Sequence, residues 1–147
     1  MSDVVSKLVA NGWKGFAGAA TPDELAALEA AFETELPSDY AAVLRFSNGG
    51  SLYGFQQPVI LYHPVTVLAL YREFDFYEAI PRSIIFGGDG GGTIYVFDLR
   101  DGMRQQVLVL DQGHTSYDYV LGSFASLSDM IAALVANEQI DPGRRCR

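Results

Sequence analysis

Residues 84 to 110 read IIFGGDGGGTIYVFDLRDGMRQQVLVL, and no other stretch constrains the fold as strongly. Three short blocks rich in β-branched and aromatic residues, Ile84–Phe86, Thr93–Leu99 and Gln105–Leu110, are divided by a glycine cluster and by Asp101-Gly102. Short apolar runs bounded by such turn residues read as strands, and Asp-Gly between two of them marks a hairpin. Antiparallel pairing of consecutive strands is therefore expected.

Helical signals lie on either side. Val4, Val5, Leu8 and Val9 recur at helical spacing before Gly12, which predicts a short helix over 3–11, with Trp13 and Phe16 then plugging the core. Thr21-Pro22-Asp23-Glu24 combines a capping hydroxyl, a proline suited to the first turn and a glutamate three residues on, so a helix starts at Pro22 with Leu25, Leu28 and Phe32 inward. Leu36-Pro37-Ser38-Asp39-Tyr40 starts another, with Tyr40, Val43 and Leu44 inward. Asn48-Gly49-Gly50 ends it, since asparagine and glycine tolerate left-handed backbone. Leu52–Phe55 and Val59–Tyr62 read as strands. Val65–Glu78 suits either a strand or a helix with Val67, Leu70, Tyr71 and Phe74 on one face, and the helix is preferred; the aromatic run Phe74, Phe76 and Tyr77 is assigned to the core. Tyr119–Leu121 gives a last strand, and Ser126-Leu127-Ser128-Asp129 opens a final helix whose inward side is Met130, Ile131, Leu134 and Val135. The sum is one α+β domain over 1–140, an antiparallel sheet of about four to six strands flanked by N-terminal helices and a C-terminal helix. Residues 141–147 read as a frayed basic tail.

Chain length is compatible with that count: 147 residues suit one domain, which buries about 68–70% of its unfolded surface. Cys146 is the only cysteine, so neither an internal disulfide nor a cysteine-based metal site can form. The first sixteen residues contain no apolar run of signal-peptide or membrane-span length, and a cytoplasmic protein that neither crosses nor coats a membrane is expected. The formal charge is −8, and through Gly143 only seven basic residues face eighteen acidic ones. Such a body repels phosphate backbones, which argues against nucleic acid and fits a basic protein partner.

Familiar catalytic and ligand patterns are missing their essential parts. The glycine cluster lacks the lysine and hydroxyl of a phosphate-binding loop and precedes a strand rather than a helix, so it reads as a tight turn. His63 and His114 stand in separate segments without zinc spacing, and Asp89, Asp98 and Asp101 fit no calcium loop, so no metal or other cofactor is expected. His114, Ser116 and Asp118 supply triad residue types without a nucleophile elbow. No enzymatic activity is expected.

Taken in order, LPSDYAAVLRFSNGG (36–50), IIFGGDGGGTIYVFDLRDG (84–102) and SFASLSDMIAAL (123–134) resemble the SMI1/KNR4 family, also called the SUKH superfamily. The resemblance covers about Thr21 to Leu134. It marks Pro37, Asp39, Tyr40, Asn48, Gly49, Gly50, Gly87, Gly91, Gly92 and Asp98 as structural positions. It implies a helix-flanked antiparallel sheet and, for a compact bacterial-type member, an immunity protein that neutralises a cognate polymorphic toxin, often a nuclease. The alternatives are a signalling or scaffold module that meets an endogenous protein and a small-ligand or phosphate-binding domain using the glycine loop.

A binding domain needs a few exposed aromatic or charged anchors. The polar segment Asp111–Tyr119 supplies Asp111, His114, Tyr117, Asp118 and Tyr119, and Asp89 is expected beside it at the same sheet edge. Half-buried sheet packing is the competing reading for the two tyrosines, and a turn role for the aspartates. Tyr53 and Phe55 are lesser candidates. The domain is expected to be a monomer or a weak homodimer.

Overall fold

A computed structural model describes residues 3–53, 58–73 and 76–136, and Phe55, Phe74, the side chain of Phe76 and the basic tail lie outside the described residues. The elements run α1 (Asp3–Ala10), β1 (Lys14–Gly15), α2 (Pro22–Phe32), α3 (Ser38–Phe46), β2 (Gly50–Leu52), β3 (Val59–Leu61), α4 (Pro64–Glu73), α5 (Phe76–Ala79), β4 (Ser83–Gly88), β5 (Thr93–Asp98), β6 (Val107–Asp111), β7 (Val120–Phe124) and α6 (Leu127–Val135). The fold is α+β, and among the described residues seven strands form one antiparallel meander in chain order. One strand more than the upper expectation is present. The addition is β1, whose two residues pair Lys14 with Ser51 and Gly15 with Gly50, too few to leave a periodic trace.

Local chemistry sets the helix starts. Thr21 accepts from the Glu24 amide while Glu24 reaches back to the Thr21 amide, and Ser126 accepts from the Asp129 amide. The ambiguous segment is helical: His63 Nδ1 accepts from the Val65 amide at 3.1 Å, and Val67 is fully buried. Asp39, in the first turn of α3, sends Oδ2 to the Ser128 amide (2.9 Å) and hydroxyl (3.0 Å). The first and third of the sequence motifs thus meet where α3 and α6 begin.

Ile84, Phe86, Tyr95, Phe97, Val107 and Val109 join the inward residues of α1, α2, α3 and α6 in the main core. Their neighbours Ile85, Ile94, Val96, Leu108 and Leu110 form a second cluster with Ile80, under Tyr62, Leu70, Tyr77 and Tyr117. Apolar contacts on both faces explain why these strands read as continuous hydrophobic runs rather than alternating ones. β3 pairs with β4 at Gly87 and Gly88, the Tyr62 amide adds a bond to Phe86 O at 2.9 Å, and α4 packs against β4. Further along β4, Tyr77 Oη accepts from the Ile85 amide at 2.7 Å. Gly87 is needed because a Cβ there would collide with the Ile60 carbonyl oxygen across the pairing.

Phe16 does not plug the core, whereas Trp13 packs against its margin. Trp13 is half-buried, and its indole N–H donates to Ser47 Oγ at 3.1 Å, while Phe16 is 42% exposed. The reason is the Ser47-Asn48-Gly49 corner, which captures residues 13–20 by polar bonds: the Phe16 amide donates to Gly49 O (3.0 Å), and Asn48 takes Gly18 O and Ala17 O.

A buried tyrosine, Tyr40, and a half-buried one, Tyr77, make opposite predictions. Tyr40 lies against Phe86 and Phe97 with centroids at 5.6 and 5.2 Å, and its hydroxyl has no hydrogen-bond partner among the described residues. Burial raises its pKa. Tyr40→Phe is therefore expected to leave stability within about 0.5 kcal/mol of wild type or to raise it, because an unsatisfied polar group is removed. Tyr77→Phe orphans the Ile85 amide and is expected to cost about 1–2 kcal/mol. Urea denaturation of the two variants checks the contrast.

Candidate functional site

The antiparallel order places the β4–β5 turn and the β6–β7 connection at one end of the sheet, Thr93 pairing with Asp111 and Leu110 with Val120. Gln112 donates its amide to Gly92 O at 2.7 Å, so the two loops touch, as the sequence led us to expect. Asp89 organises the first. Its Oδ1 accepts the amides of Gly91 (2.8 Å), Gly92 (3.2 Å) and Thr93 (3.1 Å), and the residue is 8% exposed. Successive glycine amides form a cradle of the kind that takes anions, and here a carboxylate from the same chain fills it.

Asp111 organises the second loop. Its Oδ1 accepts the Gly113 amide at 2.8 Å, and its carbonyl accepts the His114 amide and the Thr115 hydroxyl. Ser116 Oγ accepts the Asp118 amide at 3.0 Å. From there the chain crosses the second sheet face. Tyr117 packs on the Ile94–Leu110 cluster and donates its hydroxyl to Pro81 O at 2.6 Å, with Arg82 O at 3.2 Å. The Arg100 guanidinium lies 3.6 Å from the Tyr117 ring centroid, close enough for a cation–π contact.

Arg100 is itself fixed by Asp98, which is fully buried: Nε reaches Oδ1 at 2.9 Å and Nη2 reaches Oδ2 at 2.8 Å, a bidentate pair. Gln106 Nε2 adds a bond to Oδ2 at 3.3 Å. Burial by itself would raise the Asp98 pKa, but the hydrogen bonds from Arg100 and Gln106 outweigh it and hold the carboxyl below its ordinary range. Burial also raises Tyr117, with the Asp98 charge adding to the shift.

The six sequence candidates are therefore neighbours with different surroundings. Asp89 is buried in its turn, Asp111 and Tyr117 are half-buried, and His114, Asp118 and Tyr119 are exposed. His114 and Tyr119 contact edge-on with centroids 4.8 Å apart, and Tyr119 is 49% exposed. Val120, absent from the candidates because it continues an apolar run, is 40% exposed beside them. Arg100 was also missed, and its only sequence trace is a position two residues after Asp98. Tyr53, from the β2–β3 connection, is exposed.

Among the described residues no group of three His, Cys, Asp or Glu side chains could hold a metal ion, and no helix is long and apolar enough to cross a membrane. A helix-backed antiparallel meander carrying a glycine turn and a tyrosine-strapped loop defines the class of domain. Residues 19–133 match the model of the SMI1 / KNR4 family (SUKH-1), and the chain belongs to that family. A search of the curated proteins found no match.

Proposed function

We propose that this chain is a non-enzymatic immunity protein of the SMI1/KNR4 family, which holds a basic toxin domain at the exposed rim of the β6–β7 loop. The observation that carries the reading is that rim: Tyr119 and Val120 expose aromatic and apolar surface beside His114 and the charge of Asp118, on a scaffold fixed by Tyr117 and Arg100. Aromatic anchors on a rigid base are what a tight interface concentrates its energy in, and family membership supports the immunity role. The formal charge of −8 favours encounter with a basic partner. The phosphate-binding alternative loses support because the amides it needs already bind Asp89.

Expression of the chain is expected to protect cells from the toxin encoded beside it, and the purified pair to form a complex measurable by calorimetry. Tyr119→Ala should weaken that complex by about tenfold or more, and Asp118→Lys should slow association most at low salt. Neither substitution touches a buried contact, so thermal stability should stay near wild type. A chain that neither binds nor protects defeats the proposal.

A further inference from the structure

The two edges of the sheet differ. β1 is two residues long and presents Lys14, and short length and an edge lysine are both devices by which sheets discourage further pairing. β7 is five residues long, and the ten residues from Tyr119 to Ser128 contain neither a charge nor a proline. Among the described residues no strand pairs with its outer side. The register shift opposite Val109 and Leu110 makes Leu121 the extra residue, which packs into the helical core. That bulge leaves Gly122–Phe124 in regular register with Val107–Val109. Val120 and Ser123 are exposed.

We propose that the outer edge of β7 accepts an extended segment of the partner as an added strand, the partner segment carrying lysine or arginine where it passes Asp118. The proposal rests on the reading of the protein as one that binds a basic protein, and it specifies how. Added strands gain affinity from main-chain hydrogen bonds and specificity from side chains at alternate positions. Here the main-chain groups belong to Gly122–Phe124, and the side-chain contacts to Tyr119, Val120 and Asp118. Charge decides against a second copy of the chain as occupant. The uncharged strand lies between exposed Asp118 and exposed Asp129, so two-fold pairing of β7 with itself would bring acidic ends of two molecules of charge −8 to one seam. A basic strand meets complementary charge instead.

The test uses the full chain and the toxin domain encoded beside it. Ser123→Lys and Ser123→Glu place opposite charges on the same exposed edge, and both should weaken binding by about tenfold or more, because an edge charge hinders strand addition whatever its sign. Were the attraction only electrostatic, the glutamate variant would bind at least as tightly as wild type. In hydrogen exchange, amides within 122–124 should slow on complex formation. Wild-type affinity in both variants, or protection confined to other elements, overturns strand addition while leaving the immunity reading standing. A toxin domain that does not bind the wild-type chain overturns both.

Discussion

Gly49→Ala is expected to cost about 3 kcal/mol or more, a large share of the 5–15 kcal/mol that holds a domain of this kind together. Two independent penalties act at the one position. Gly49 has φ +88°, a left-handed conformation that alanine adopts only with strain. A Cβ there would also collide with the Leu61 carbonyl oxygen and lie 2.9 Å from the Tyr62 carbonyl carbon and oxygen, all of it backbone. Relief requires β3 to move, and β3 is paired on both sides. The Gly49 carbonyl also accepts from Phe16 N and Ser47 Oγ, so displacement loosens the 13–20 segment as well. The melting temperature should fall by about 6–12 °C or more. Trp13, the only tryptophan, reports it: its indole bonds to Ser47, and its emission should shift red at lower denaturant than in wild type. A wild-type denaturation midpoint for Gly49→Ala would show that the corner yields without cost.

Asp98→Ala is the second large effect. It removes the acceptor of both Arg100 side-chain bonds and of the Arg100 amide and Gln106 amide group, and it empties a fully buried site. Breaking a buried charged network costs about 3–5 kcal/mol. The Arg100 side chain is 37% exposed and can turn to water, so about 2–3 kcal/mol is the expectation. Arg100 would then leave the Tyr117 ring, and the loop carrying His114, Asp118 and Tyr119 would lose one of the contacts that hold it to the sheet. Partner affinity should drop in Asp98→Ala although Asp98 is buried. The pH dependence has a definite sign. The folded-state pKa is depressed, so the stabilisation is fully present above the ordinary aspartate value of about 3.9 and disappears as pH falls through the lower folded value. The stability gap between wild type and Asp98→Asn should therefore narrow below about pH 4. A constant gap down to pH 2 would mean that the carboxylate charge contributes nothing.

Sequence reading succeeded where one local rule acted alone. The capping box at Thr21, the proline start of α3 and the consecutive strands of 84–110 each rest on short-range chemistry, and each appears in the structure. It failed where a partner distant in sequence decided the outcome. Phe16 looked like a core residue because it is large and apolar, but the bond from its amide to Gly49, more than thirty positions away, holds it at the surface, and Trp13, bonded to Ser47, reaches only the margin of the core. β1 exists only because Gly50 and Ser51 offer an edge. The candidate loop shows the same limit. Its composition was legible, and so was its adjacency to the glycine turn. That Tyr117 turns inward to Pro81 while Tyr119 turns outward could not be read from two tyrosines one residue apart.

The meander has a kinetic consequence. Every strand pairs with its neighbour in the chain, but the connections differ: β2–β3, β4–β5, β5–β6 and β6–β7 are joined directly, whereas β1–β2 and β3–β4 have helices between them. Folding rates rise as contacts become more local, and the β4–β7 part of the sheet should assemble rapidly during synthesis. The helical layer has the opposite character, because α1 packs against α6, the first described element against the last. A nascent chain would therefore carry a nearly complete sheet whose main core stays open until α6 emerges, and the rim at β7 would become competent only at that final step.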